Sequence, residues 1–324
     1  MKFRTMQRDA LLIVLAVHAG GAWAQSAAYP LKPVRIVVPS SPGGGTDILA
    51  RVLAQKMSES LGQQFVVENR PGAGQVIGIE AAARSPPDGY TLLMAASAIV
   101  INKVLYRKPP YDTLRDFAPV TLVASLPNIL VVHPALPVKS VRELIALAKT
   151  RPGQLNYSSA GSGTSPHLSM ELFRIMAGIT LTHIPYKGTG PATIDLVAGQ
   201  VQLSMPNVLT ALPQIKGGKL RALGVTGGKR ASGLPDIPAI AESVPGYEAI
   251  QWYGILAPAG IAREIVNRLQ AEVARILVLP EVKERLAADG ADAVGNRPDE
   301  FAAYIRAELL KWGKVVKAGG IKLE

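Results

Sequence analysis

The sequence predicts an α/β protein built as two lobes. Apolar runs of strand length alternate with segments in which apolar residues recur at three and four, the period of a helix lying on a sheet. A unit of strand, Gly/Ser-rich turn and helix occurs at residues 34–60 and again at 155–176, so two similar halves are expected to face each other. From Pro258 onward the chain reads as strongly helical.

Val34–Val38 is an apolar strand, followed by a helix whose Ile48, Leu49, Val52, Leu53, Met57 and Leu61 share one face. Phe65–Glu68 reads as a strand, Ile77–Ala83 as a short helix, and Thr91–Met94 as a strand after the Asp88-Gly89 turn. Ile129–Val132 is another strand. Ser140 and Glu143 form a capping box that opens a helix to Lys149. Leu155–Ser158 is a strand, Ser165–Met176 a helix, Ile194–Ala198 helical, and Val201–Met205 and Leu220–Val225 strands. Helices follow at Ile261–Leu277, Glu281–Ala288 and Pro298–Val316. The last carries Asp299 and Glu300 early and Lys311, Lys314 and Lys317 late, as the helix dipole favours. Pro/Gly-rich stretches near 133–137 and 226–246 are the expected crossings between lobes.

The 324 residues are 48% hydrophobic and 18% charged, a globular composition long enough for two domains. There is no cysteine, which excludes disulfides, thiolate metal sites and a cysteine nucleophile. His18, His133, His167 and His183 are scattered, with no metal-site spacing, so neither a metal nor a cofactor is expected. At the N-terminus, Lys2, Arg4 and Arg8 precede an apolar run and then Ala22-Trp23-Ala24, a small-x-small pattern. This reads as a signal peptide over residues 1–24, cleaved after Ala24, for export to the periplasm. The apolar run is shorter than the ~20 residues that span a bilayer, and no later segment is long enough, so no stable membrane insertion is expected. Cleavage removes a net +2 of the +11, leaving +9, which favours anionic partners. The Lys and Arg residues form no run and aromatics are few, so small anions suit this charge better than nucleic acid.

The segment Ser40-Ser41-Pro42-Gly43-Gly44-Gly45-Thr46-Asp47 lies where a strand gives way to a helix. Helix-terminal amides there carry positive partial charge, an anion can sit on them, and glycine admits it to the backbone. The alternative is a tight connection without a ligand. The segment from Ser158 to His167 repeats the logic with more hydroxyls. Thr164 or Ser165 can cap its helix, and His167 either faces back over the turn or packs within the helix. His183 to Gly190 ends in a further glycine turn, where Lys187 either meets an anion or is a surface lysine. Asn207 offers an amide to a ligand or caps a helix. Neither GxxxxGK[ST] nor GxSxG is present. Gly72, Gly74 and Gly78 read better as a loop closing against the neighbouring lobe than as a dinucleotide motif. Ser159 or Ser165 with His167 or His183 keeps a Ser–His hydrolase open, though no elbow motif or third triad member is visible.

A set of short stretches runs in order along nearly the whole chain after residue 24. It includes Val38-Pro39…Pro42-Gly43-Gly44…Asp47, Val67-Glu68-Asn69-Arg70-Pro71-Gly72-Ala73-Gly74, Pro87-Asp88-Gly89-Tyr90-Thr91-Leu92, Leu155-Asn156-Tyr157-Ser158-Ser159, Pro185-Tyr186-Lys187-Gly188 and Leu234-Pro235-Asp236-Ile237-Pro238. Together they resemble the extracytoplasmic solute receptors of tripartite tricarboxylate transporters, the Bordetella uptake gene family. The resemblance implies a type II periplasmic-binding-protein fold: two mixed sheets flanked by helices, joined by two crossings. It divides the chain into one lobe of residues 25–124 plus 247–324 and another of 125–246. It implies capture of a di- or tricarboxylate or related organic acid, and delivery to membrane permease subunits by a monomeric, non-catalytic receptor. A sensor presenting ligand to a signalling partner is the alternative. The positions it maps to the ligand are Ser40, Ser41, Gly44, Thr46 and Asp47, Ser97, then Ser159, Gly163, Thr164 and Ser165, with Asn207. Three positions depart from the family pattern. Ser40 replaces a usual aromatic, Pro206 an acid that would pair with an ammonium, and Gln75 a common glycine. Without the acid, plain carboxylates are favoured over amino acids.

Overall fold

A computed structural model describes residues 29–319, apart from Ser232 and Asp289. The expected signal peptide lies outside the described residues. The chain begins with β1 (Val34–Val38), α1 (Gly45–Leu61), β2 (Phe65–Asn69), α2 (Val76–Ala83), β3 (Thr91–Ala96), α3 (Ala98–Leu105) and β4 (Phe117–Pro127). It continues through β5 (Ile129–Val132), α4 (Val141–Thr150), β6 (Asn156–Ser159), α5 (Ser165–Ala177), β7 (Thr182–Pro185) and α6 (Thr189–Val197). Next come β8 (Leu203–Ser204), α7 (Val208–Lys216) and β9 (Arg221–Val225). The chain then returns through β10 (Ile250–Pro258), α8 (Arg263–Leu277), α9 (Pro280–Ala288), β11 (Asp292–Ala293) and α10 (Pro298–Gly319).

These strands form two mixed sheets, ordered β11-β4-β10-β3-β1-β2 and β7-β6-β8-β5-β9, with helices packed against them. Apart from Arg35, β1 is apolar and buried because it is paired in parallel on both sides, with β2 and β3, inside the first sheet. α1 stops at Gly62, whose φ of 69° is the left-handed conformation that glycine adopts without strain. α4 is capped as its sequence suggests, with Ser140 Oγ accepting from the Glu143 amide at 3.2 Å. The Glu143 carboxylate reaches one residue further back, to the Lys139 amide at 2.7 Å.

Several sequence expectations are corrected. The longest antiparallel pairing, β4 with β10, was not anticipated. Its register shifts after Tyr253 and again after Ile255, and prolines at 119 and 127 interrupt β4, so neither strand shows a clean two-residue period. The first crossing is not at 133–137. The chain leaves the first sheet at Pro127 and enters the second at Ile129, so Asn128 is the crossing, and His133 follows a strand already paired in the second sheet. The return runs between Val225 and Ile250. α6 begins at Thr189 rather than Ile194, which puts its N-terminus directly after the Gly188 turn. α10 lies over α3 and β4 and also touches α5 of the second lobe. It is pinned by buried Glu308, whose Oε2 accepts from Trp252 Nε1 at 3.1 Å and Trp312 Nε1 at 3.0 Å. Among the described residues, no helix is long and apolar enough to cross a membrane.

Candidate functional site

Between the two sheets lies a small polar cavity of about 10 Å³, room for about one water molecule. Its wall is made largely of helix beginnings. α1 supplies its N-cap Gly44 and Thr46, α2 its N-cap Gln75, and α3 its first residue Ala98. From the second lobe, α5 supplies Ser165 and Pro166, α6 Thr189, and α7 its N-cap Asn207. Of these six helices only α7 has a side-chain cap, Asn207 Oδ1 accepting from the Thr210 amide at 3.1 Å; the other five have none. α4, which contributes nothing to the cavity, is capped in the ordinary way. First-turn amides carry positive partial charge, so their convergence makes an electropositive pocket, although at α2 the first of them, that of Val76, already donates to the Ala73 carbonyl. No charged side chain lines it.

Ser40, Asn128, Ala160, Gln251 and Tyr253 complete the wall. Ser97 Oγ donates to Gln251 Oε1 and fixes that amide. Burial raises the Tyr253 phenol above its ordinary range, so it stays protonated beside Gln251 and Thr46.

Of the residues mapped from sequence, Ser40, Gly44, Thr46, Ser165 and Asn207 line this cavity, and the rest do not. Asp47 turns away. Its carboxylate accepts from the Gly43 amide at 3.0 Å, Arg51 Nε at 3.0 Å and Asn69 Nδ2 at 2.9 Å, so it clamps the glycine turn to β2. Burial alone would raise its pKa, but these donors and the Arg51 charge hold it below the usual carboxylate value. Ser97 acts through Gln251. Ser41 bonds the other lobe: its amide and Oγ both donate to the Lys187 carbonyl, at 3.2 and 2.9 Å. Lys187 thus contributes main chain here, and its side chain is exposed. Thr164 Oγ1 donates to the Gly161 carbonyl at 2.6 Å and shapes its own loop.

Ser159 is buried and accepts from the Gly161 amide at 3.1 Å while pairing with His183 Nε2 at 2.6 Å. His183 stacks between Tyr157 and His167, with ring centroids 4.8 and 4.2 Å away. His167 Nδ1 accepts from the Gly163 amide at 3.2 Å. Burial pushes the His167 pKa down to about 4. Burial, helped by the neighbouring His167, pushes His183 down to about 3, so both rings are neutral at pH 7. Behind them, Tyr157 donates to Glu171 at 2.9 Å, and Glu171 is also paired with Arg174 at 2.7 Å.

The lobes approach closely at glycines. A Cβ on Gly74, whose φ is 59°, would overlap the Ser162 carbonyl, and one on Gly163 would overlap Asn102 Oδ1. A Cβ on Gly190 would come within 2.5 Å of the Pro42 carbonyl. The sequence hint that Gly72–Gly78 closes against the neighbouring lobe is realised at Gly74. The cleft is therefore closed, and anything larger than a water enters only when the lobes part.

Residues 49–321 match the family described as "Tripartite tricarboxylate transporter family receptor". The chain belongs to this receptor family. Solved structures similar to the receptor agree in fold. R. palustris Rpa4515 "with adipate" is 40% identical, with a TM-score of 0.88 over 91% of this chain and 99% of that one. The "periplasmic binding protein BugD" is 34% identical, with a TM-score of 0.88 over 91% of this chain and 100% of that one. MatC from Rhodopseudomonas palustris "with bound malate" is 32% identical, with a TM-score of 0.85 over 89% of this chain and 100% of that one.

The site residues that sequence reasoning missed are Gln75, Asn128, Thr189, Gln251 and Tyr253 as cavity-lining groups. Thr189 stands in a glycine turn already singled out. Gln251 and Tyr253 sit on β10, the strand hidden by its register shifts.

Proposed function

We propose that this receptor binds a small carboxylate between its lobes, in the periplasm, and delivers it to permease subunits of a tripartite transporter. The observation that carries the reading is the convergence of five uncapped helix N-termini on a cavity with no charged side chain. That arrangement holds an anion through backbone amides and neutral hydroxyls, and it needs no arginine or lysine. The adipate and malate carried by two similar proteins support the ligand class. We assign ligand contact to Ser40, Gly44, Thr46, Ser165 and Asn207, and supporting roles to Ser41, Asp47, Ser97, Ser159, Gly163 and Thr164. Residues 25–124 plus 247–324 and residues 125–246 are assigned as the two lobes, with cleavage of the leader after Ala24. A ligand that bridges the lobes favours the closed state and shifts the population towards it.

The Ser159–His183 pair is the one arrangement that invites a hydrolase, and we read it as structural. Ser159 lies outside the cavity lining. His183 has its pKa pushed down to about 3, too weak a base to activate a hydroxyl at neutral pH, and its ring is stacked on two others.

The test is thermal unfolding of the chain from residue 25 against organic acids, amino acids and sugars, with mass spectrometry of acids extracted from the denatured protein. A ligand at 100 times its dissociation constant adds about 2.7 kcal/mol, which moves the midpoint by a few degrees. Stabilisation by amino acids or sugars and not by carboxylates refutes the reading.

A further inference from the structure

Three side-chain atoms on the cavity wall are buried and have no hydrogen-bond partner: Ser40 Oγ, Gln75 Oε1 and Asn128 Oδ1. Buried polar atoms are nearly always paired, so three orphans converging on one cavity mark groups waiting for a ligand. Two of the three are amide oxygens, which only accept. Asn128 is fully buried, and its amino group is already committed, donating to Ser165 Oγ at 2.9 Å and Ser169 Oγ at 3.0 Å. Gln75 is held in an unusual backbone state, with φ 80° and ψ −7° at the start of α2. A residue with a Cβ is strained there and glycine is not. A glutamine kept at that position, 7% exposed and on the cavity wall, points to a role for its side chain.

A plain carboxylate brings only acceptors. Its oxygens suit the open helix amides, but they leave the Gln75 and Asn128 oxygens facing acceptors or nothing. An ammonium would supply a donor, but no carboxylate lines the cavity to balance it, and the surrounding helix N-termini repel positive charge. What remains is a neutral donor: a water, for which the cavity has room, or a hydroxyl or amide N–H of the ligand itself in that place.

We infer that Gln75 and Asn128 read a neutral hydrogen-bond donor, so the preferred ligand is an organic acid bearing a hydroxyl or amide group beside its carboxylate. This rests on the carboxylate-receptor reading and narrows it. Gln75 and Asn128 set selectivity, while the helix N-termini supply the attraction common to all carboxylates.

The experiment is calorimetric titration of the chain from residue 25 with matched acids: malate against succinate, 2-hydroxyglutarate against glutarate, 2-hydroxyadipate against adipate, and succinamate against succinate. At least one donor-bearing member is expected to bind about tenfold more tightly than its parent, because a site built for a hydroxyl rejects the analogue without one. Gln75→Gly suits the backbone at that position, so it should leave the unliganded thermal midpoint unchanged or higher while reducing the preference. Asn128→Ser should reduce it as well. Parent acids that bind as tightly as their donor-bearing partners overturn the inference and leave the receptor reading standing, as does a Gln75→Gly variant that keeps the preference unchanged. If none of these acids binds, the inference falls, and the receptor reading is decided by the wider panel of organic acids, amino acids and sugars.

Discussion

Acidification should weaken this protein through two imidazoles. His167 and His183 are neutral in the fold, with pKa values pushed down to about 4 and about 3, against an ordinary value near 6.5. Below pH 6.5 the unfolded chain binds protons at both positions and the folded chain does not. Stability therefore rises with pH across this range, and it is lost as pH falls from 6.5 towards 4. Each ring contributes about 1.4 kcal/mol per pH unit in that window, so at pH 5 the pair costs up to about 4 kcal/mol. Glu171, behind the stack, attracts charge on His167, and Arg174 opposes it. Asp47 and Glu171 have folded pKa values below the carboxylate norm, so their own losses set in mainly below about pH 4.5, below the range from pH 7 to 5 that the assay covers. The assay is the urea midpoint of the unliganded protein at pH 7, 6 and 5, beside a His167→Gln/His183→Phe double variant. The parent should fall steeply and the variant should be nearly flat. A parent flat from pH 7 to 5, or a variant with the same slope, refutes the reasoning. Protonation of His167 in the fold, which sets in only as pH approaches 4, ends its acceptance from the Gly163 amide, so ligand affinity should hold from pH 7 to 5 and drop near pH 4.

Gly74→Ala would set a methyl group against the Ser162 carbonyl and so should block closure. Ligand affinity is expected to fall by about tenfold or more, while scattering detects a more open particle. At Gly44 an added Cβ would meet Thr189 at 3.6 Å, an ordinary contact. Gly44→Ala should bind nearly as the parent does, whereas Gly44→Trp should abolish binding with the fold retained, as titration and circular dichroism would show. Asp47→Ala removes the acceptor of the Gly43, Arg51 and Asn69 donors and should cost about 2–3 kcal/mol, read as a lowered thermal midpoint.

The first glycine turn was legible because its signals are local: an apolar strand, three glycines, then a helical period. Local signals give a residue's position on an element but not the direction of its side chain. Asp47 was placed on the correct turn, yet its carboxylate faces Arg51, one helical turn on, and Asn69, which only the folded chain brings near. Ser97 was found, while the Gln251 that it orients was not, because β10 pairs across 154 positions of sequence. Asn128 carried no sequence signal, since a single residue between two apolar runs looks like part of one strand. Gln75 stood out only as a departure from a family habit, and the positive φ at that position gives the habit, glycine, its physical reason.

The contacts between the lobes at Gly74 and Gly190 are made to main-chain carbonyls, which every residue type carries alike, while Gly163 packs against the Asn102 side chain, outside the cavity wall. Closing is thereby largely separate from the chemistry of the side chains that line the cavity. Substitutions at Ser40, Gln75, Asn128 or Gln251 can retune what is bound without redesigning how the lobes shut. A change of ligand would then need only a few substitutions in one wall of one cavity, with the shut shape left as it is.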